Sequence, residues 1–234
     1  MANKHGKRYR ALAEKFDGQR YYPLTEAVDL VKGAASAKFD ETVDVTVLLG
    51  IDPKKGDQQV RGTITLPHGT GKTPRVIAVA KGEAASAAEA AGADAVGAEE
   101  LIAQIESDSI PFDVVVATPD MMRLLSRLGK KLGPRMPNAK SGTVGPDIGR
   151  IVADRKKGQI EYRNEPKAAV VHSVIGKASF DKGQLQENCA ALVDALRRAK
   201  PSSSRGTYLK AITLSSTMGP GVRVDPATVK VGGV

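Results

Sequence analysis

Thr42-Val43-Asp44-Val45-Thr46-Val47-Leu48-Leu49 carries apolar side chains at 43, 45, 47 and 49, with Thr42, Asp44 and Thr46 between them. Successive side chains of a strand point to opposite faces, so this stretch reads as a strand with one buried and one polar face. Val76-Ile77-Ala78-Val79-Ala80 has no such alternation. It reads as a short strand covered on both sides, as in a parallel sheet. Two kinds of sheet within one chain decide the fold class.

Working outward from the first stretch, Val60, Ile64 and Leu66 alternate with Arg61, Thr63 and Thr65, after a polar turn at Asp52-Pro53-Lys54-Lys55-Gly56-Asp57. Ahead of it, Thr25 offers an N-cap for a helix to about Ala35, with Ala27, Val28, Leu30, Val31 and Ala34 on its apolar side. Half-buried strands return after Gly158. Ile160 to Arg163 and Ala168 to Ile175 look like a hairpin, followed by a helix with Leu185, Cys189, Leu192, Val193 and Leu196 on one stripe. Asp181 and Gln184 make a capping box for that helix and Pro201 stops it. A final strand runs from Leu209 to Thr217.

Around the second stretch, strands alternate with helices. Glu83 to Ala91 is an alanine-rich helix, Asp94 to Val96 a short strand, and Leu101, Ile102 and Ile105 lie at helical spacing. Asp113 to Ala117 is a third strand. It leads into a helix with Thr118 as N-cap, Pro119 at its first position, and Met121, Met122, Leu124, Leu125 and Leu128 on its buried stripe. The simplest assembly is an α+β domain built from both chain ends, 1–67 with 158–234, as an antiparallel sheet with packed helices. An α/β domain, 68–157, is inserted into it through glycine-bearing crossings that predict a hinge.

The chain has 234 residues, with 35 Lys and Arg against 26 Asp and Glu, a formal charge of +9 and a pI near 9.6. Residues 1–67 hold 11 basic and 9 acidic side chains and 158–234 hold 11 and 6, so the terminal segments carry +7. The insert is split, with 3 basic against 9 acidic residues in 68–120 and 10 against 2 in 121–157. Such a balance points to a polyanionic partner. With no Trp and only 4% aromatic residues, the composition argues against a row of base-stacking platforms and for folded nucleic acid read by shape and backbone. One cysteine and no apolar run near the ~18 residues of a membrane span argue for a cytoplasmic chain. Lys4, Lys7, Arg8 and Arg10 form a basic tail with no apolar stretch behind it, so it is no secretory signal.

Gly69-Thr70-Gly71-Lys72-Thr73 imitates the end of a phosphate-binding loop, but the first glycine of that motif would fall on Leu66 and Pro74 disfavours a helix. His5, His68, His172 and Cys189 show no metal spacing, and the carboxylates no catalytic pairing. The insert also lacks a G-x-G-x-x-G after its first strand, reading Ala80-Lys81-Gly82-Glu83-Ala84-Ala85, which argues against the alternative of a nucleotide-using enzyme. The informative segment is Leu214-Ser215-Ser216-Thr217-Met218-Gly219-Pro220-Gly221. Its hydroxyls and bare backbone suit 2′-hydroxyls and phosphates, or else mark an ordinary strand-to-turn junction. Lys38-Phe39-Asp40-Glu41-Thr42 is a second candidate patch, in which Phe39 is either an exposed contact or a core plug. His172 is either a phosphate contact or a structural histidine. Arg123, Arg127, Lys130, Lys131, Arg135 and Lys140 are either a second polyanion contact or a solvated face.

Three motifs carry a family resemblance: Asp57-Gln58-Gln59-Val60-Arg61-Gly62-Thr63-Ile64-Thr65-Leu66-Pro67-His68-Gly69-Thr70-Gly71-Lys72; Met136-Pro137-Asn138-Ala139-Lys140-Ser141-Gly142-Thr143-Val144; and Thr217-Met218-Gly219-Pro220. Together they resemble the bacterial large-subunit ribosomal protein L-one family, over essentially the whole chain. The resemblance implies an inserted Rossmann-like three-layer domain. It implies no enzymatic activity, cofactor, metal, membrane or small-molecule substrate. It implies binding of the large-subunit rRNA stalk beside the tRNA exit site, assistance in the release of deacylated tRNA, and repression of the chain's own operon through its mRNA. The RNA-binding residues it implies are Lys38, Phe39, Thr42, Asp44, His172, Lys177, Ser215, Thr217, Met218 and Gly219. The family usually reads Pro-Arg-Gly-Leu-Met-Pro-Asn-Pro-Lys where this chain has Pro134-Arg135-Met136-Pro137-Asn138-Ala139-Lys140, two residues shorter and with Ala139 in place of the last proline.

Overall fold

The computed structural model describes residues 6–107 and 109–229; His5 and Lys4 of the basic tail lie outside them. Along the chain run α1 (Lys7–Ala13), α2 (Leu24–Ala34), β1 (Thr42–Leu49), β2 (Arg61–Thr65), β3 (Val76–Val79), α3 (Glu83–Ala90), β4 (Ala95–Gly97), α4 (Glu99–Glu106) and β5 (Val114–Ala117). They are followed by α5 (Met122–Leu125), α6 (Gly129–Leu132), α7 (Ile148–Lys156), β6 (Gln159–Arg163), β7 (Val170–Lys177), α8 (Lys182–Arg198), β8 (Leu209–Ser216) and β9 (Val222–Val224). The chain divides into two compact units, one of residues 1–71 and 160–234, the other of 72–159.

In the first unit the strands order β7-β1-β8-β9, antiparallel throughout, so β1 is paired along both edges. Val43, Val45, Val47 and Leu49 face a core shared with Ile175, Ile212, Leu214, Val222 and Val224. That core is roofed by Ala27, Val28 and Val31 of α2 and by α8, whose Leu185, Cys189, Leu192, Val193 and Leu196 are fully buried. Each large apolar side chain buried this way contributes about 1.5–3 kcal/mol. Asp181 and Gln184 form the capping box at the start of α8. Thr25, expected to cap α2, is instead inside the helix, and Pro23 occupies the cap position. The free Leu24 N–H donates to Thr228 Oγ1 at 3.3 Å, a cap delivered from 204 residues away.

The expected hairpin of β6 and β7 does not form. β6 pairs with β2 in a separate two-stranded sheet, tied by Arg61 and Glu161 at 2.7 Å, and a single bridge, Asn164 to Val171, links the two segments. Asn164 turns the chain away: its Oδ1 accepts the Val60 N–H at 2.8 Å, and its own N–H donates to the Val60 carbonyl at 2.9 Å.

The units divide at Gly71/Lys72 and Gln159/Ile160, slightly beyond 67/68 and 157/158. Asn188 of α8 explains the first shift. Fully buried, it donates from Nδ2 to the carbonyls of Ile175 and Gly69, and its Oδ1 accepts the His68 N–H. Gly71 has φ +74°, and a Cβ there would lie 2.7 Å from the Lys177 side chain and 3.0 Å from Phe180. Residues 68–71 are thus bound into the first unit, and their glycines answer to backbone geometry and close approach.

The second unit has a parallel sheet ordered β4-β3-β5. Val76, Ile77, Ala78 and Val79 are all fully buried. Ile77 and Val79 pack with Leu101, Ile105, Met121, Leu125, Leu128 and Leu132, while Val76 and Ala78 pack with Ala88, Ile148 and Val152 on the other face. The helix expected after Thr118 is broken into short α and 3-10 turns between Pro119 and Arg135, with Gly133 (φ +50°) and Pro134 interrupting the run after Leu132. Met122 and Leu124 are accordingly only partly buried, and Leu132 joins the core. Helix α7, not foreseen, is capped by Asp147, whose carboxylate accepts the Arg150 N–H at 3.1 Å.

Asn188→Ala leaves the buried Ile175 carbonyl and the part-buried Gly69 carbonyl and His68 N–H without their partner and should cost about 2–4 kcal/mol. Urea unfolding of the variant against the parent chain measures it.

Candidate nucleic-acid interface

The loop from α2 to β1 and the turn after β8 are held together by one carboxylate. Glu41, 1% exposed, accepts the N–H groups of Ser36 at 2.9 Å and Ala37 at 2.7 Å on Oε1, and that of Met218 at 3.0 Å on Oε2. Arg8 of α1 reaches Oε1 at 3.4 Å and donates from Nε to Ser36 Oγ at 2.9 Å. Burial pushes the Glu41 carboxyl up, but the N–H groups of Met218 and Ala37, the Ser216 hydroxyl and the Ser36 N–H together outweigh it and hold the group below the usual glutamate range. The carboxylate is therefore ionised at neutral pH.

Register assembles the polar face of the four-stranded sheet. Thr42 lies opposite Lys177, Asp44 opposite Val174 and Ser215, Thr46 opposite His172 and Thr213, and Thr213 opposite Arg223. Paired residues share a face. Lys177 Nζ donates to Thr42 Oγ1 at 2.8 Å, and Thr46 Oγ1 lies 3.0 Å from His172 Nδ1, with Glu165 3.5 Å from the other ring nitrogen. Burial pushes the Asp44 carboxyl up, against the opposing pull of Lys177 and His172. At one end of this face Lys38 is exposed, and Phe39 and Met218 are 56% and 51% exposed. Phe39 is no core plug.

Thr217 is more committed than its position suggests. Its Oγ1 accepts the Thr42 N–H at 2.9 Å and donates to the Thr42 carbonyl at 3.2 Å, a carbonyl that also receives the Thr217 N–H at 3.0 Å. One acceptor lone pair remains for a ligand. A Cβ on Gly219 would sit 2.5 Å from the buried Ser216 Oγ, so any larger residue here would have to displace that hydroxyl.

The ten residues expected from the family resemblance all belong to this sheet face or to its adjoining loops. Sequence reading missed Glu41 as the organiser, and Arg8, Thr46, Thr213 and Arg223 as neighbours. Thr46 and Thr213 were within reach, since each has the parity of a residue already chosen, Asp44 and Ser215. Arg223 lies on a three-residue strand that leaves no periodic signal.

The six insert cations, Arg123, Arg127, Lys130, Lys131, Arg135 and Lys140, are all exposed in the second unit, spread over successive short helices and turns. Arg135 stacks 5.3 Å from the Phe112 ring centre and Lys131 donates to the Glu106 carbonyl, so both have structural work besides any ligand. Arg127 borders a groove of about 340 Å³ with Glu99, Ile102, Glu106, Leu124 and Leu128. His68 pairs with Glu187 at 2.5 Å, and burial pushes the Cys189 thiol up to about 12. Among the described residues no three His, Cys, Asp or Glu side chains gather as metal ligands, and no helix is long and apolar enough to cross a membrane.

Glu41→Gln replaces an acceptor by an NH₂ group facing a backbone donor and should cost about 1–3 kcal/mol. Because the folded carboxyl lies below its ordinary 4.5, its stabilisation is complete above that value and is lost as pH falls through the lowered one. Thermal unfolding of both proteins on descending pH should show the gap closing only below that range.

The profile of the Ribosomal protein L1p/L10e family matches residues 30–220. A "Large ribosomal subunit protein uL1" of Methylobacillus flagellatus is 55% identical over 98% of this chain and 100% of its own length. Proteins of the same name from Bordetella pertussis and Variovorax paradoxus are each 54% identical, over 97% and 95% of this chain and 98% and 97% of theirs. The matched range takes in both glycine-bearing crossings and the Thr217-Met218-Gly219 turn, and the chain belongs to the ribosomal protein L1p/L10e family.

Proposed function

We propose that this chain is a structural, non-enzymatic protein of the cytoplasmic large ribosomal subunit, and that the polar face of its four-stranded sheet binds the rRNA stalk beside the tRNA exit site. The observation that carries this reading is the Glu41-pinned pair of loops, which sets Phe39 and Met218 outward at the end of a face bearing Lys177, Ser215, Thr46 and His172. Small hydroxyls, fixed backbone and two exposed apolar side chains suit a folded RNA surface with 2′-hydroxyls and splayed bases. The names of the relatives supply the ribosomal setting.

In this reading the discontinuous unit, the α+β domain made from both chain ends, is the rRNA-binding domain. The Rossmann-like insert offers its exposed cations to exit-site tRNA and assists the departure of deacylated tRNA. An mRNA segment of the chain's own operon that imitates the stalk competes for the same face and represses translation. Lysine and arginine contacts to phosphate supply salt-dependent affinity, while the pinned turn sets register.

Titration against a stalk RNA fragment tests this. Thr217→Val and Met218→Ala should each weaken binding by about 2- to 13-fold, the range for one lost neutral contact. Lys38→Ala should lower the slope of log affinity against log salt by about 0.7–0.9. Unchanged affinity in both turn variants, with circular dichroism intact, removes the turn from the interface.

A further inference from the structure

We propose that Met218 is an oxidation site at which hydrogen peroxide controls RNA binding, because it is the exposed sulfur at the pinned end of the RNA-binding face; the inference rests on the RNA-binding reading above. Among the described residues the other sulfurs are sheltered. Met121 is 3% exposed, Met122 and Met136 are partly buried in the insert core, and Cys189 is fully buried in the other unit. Burial also keeps the Cys189 thiol protonated, with its titration pushed up to about 12, so the chain's one cysteine is not a peroxide sensor.

The exposure of Met218 is built into the backbone. Its N–H is held by Glu41 at 3.0 Å, the Thr217 N–H by the Thr42 carbonyl at 3.0 Å, and the Gly219 N–H by the Ser216 carbonyl at 3.1 Å. With three successive amides tied down, the Met218 backbone is held at the surface, where its side chain is 51% exposed. A lone pair on the Met218 sulfur attacks one oxygen of hydrogen peroxide and the O–O bond breaks. The sulfur loses two electrons and becomes the sulfoxide, and the other oxygen leaves as water. A flexible apolar contact becomes polar and chiral at the point where RNA is to be excluded from water. Bound RNA covers the sulfur, so the reaction selects the free protein.

The test uses the full chain, graded hydrogen peroxide and mass spectrometry of the methionine peptides, followed by titration with a stalk RNA fragment. Met218 should oxidise ahead of Met121, Met122 and Met136, and RNA should protect it. The oxidised chain should bind roughly tenfold more weakly, the scale of a polar group buried without a partner. Methionine sulfoxide reductase should restore affinity. For Met218→Leu, the ratio of treated to untreated affinity should stay near one. The proposal is overturned if the Met218 sulfoxide binds as tightly as the thioether, or if the peroxide effect persists in Met218→Leu. Untreated chain without affinity for the RNA overturns the underlying reading and the proposal with it, a failure told apart because the order of oxidation is read without RNA.

Discussion

A buried, ionised carboxylate at Glu41 holds the functional end of the terminal unit in place. Its two oxygens gather backbone donors from residues 36, 37 and 218, segments that local forces have no means of joining. Removing a carboxylate from water is costly unless its lone pairs are filled, and here three amides and the Arg8 guanidinium fill them. The arrangement is mutual: the amides hold the charge, and the charge stops either loop from moving independently.

From that junction the sheet face is organised by register. Since β1 is paired on both sides, a slip of one residue would turn Thr42, Asp44 and Thr46 into the core and Val43, Val45 and Val47 into solvent. The hydrophobic core beneath α2 and α8 therefore aligns the polar residues above it. Much of the hydrogen-bonding capacity on that face is already used, as Thr217 with Thr42 and Lys177 with Thr42 show. What is left for a ligand is a set of positioned remainders: single lone pairs, cationic heads and two exposed apolar side chains. Preorganisation of this kind lowers the entropy lost on binding.

The insert is organised differently. Its central strand β3 is buried on both faces and offers no polar surface, and five of its six candidate contact cations sit on the broken helical segment between Pro119 and Arg135. Gly133 and Pro134 interrupt that segment. The helical spacing of its leucines is visible in the sequence and the interruptions are not, because apolar spacing reports which side is buried and not whether the backbone ladder continues.

Much was legible in the sequence. The alternation of 42–49 and the continuous run of 76–80 identified two sheet types. The stripe of α8 named its core residues, and the charge ledger pointed to a polyanion. Each of these is a local property, since burial of one face imprints a period and like charges add wherever they lie. Pairing partners leave no such imprint. The cap of Leu24 by Thr228, the attachment of β6 to β2 instead of β7, and the bracing of 68–69 by Asn188 join residues far apart in the chain. The period of each segment marked the buried face of the main strands and of α8, and which polar residues share a strand face. Only the tertiary structure decided that Glu41 meets Met218, because that contact depends on β1 and β8 lying side by side, and a period of two specifies a face without specifying a neighbour.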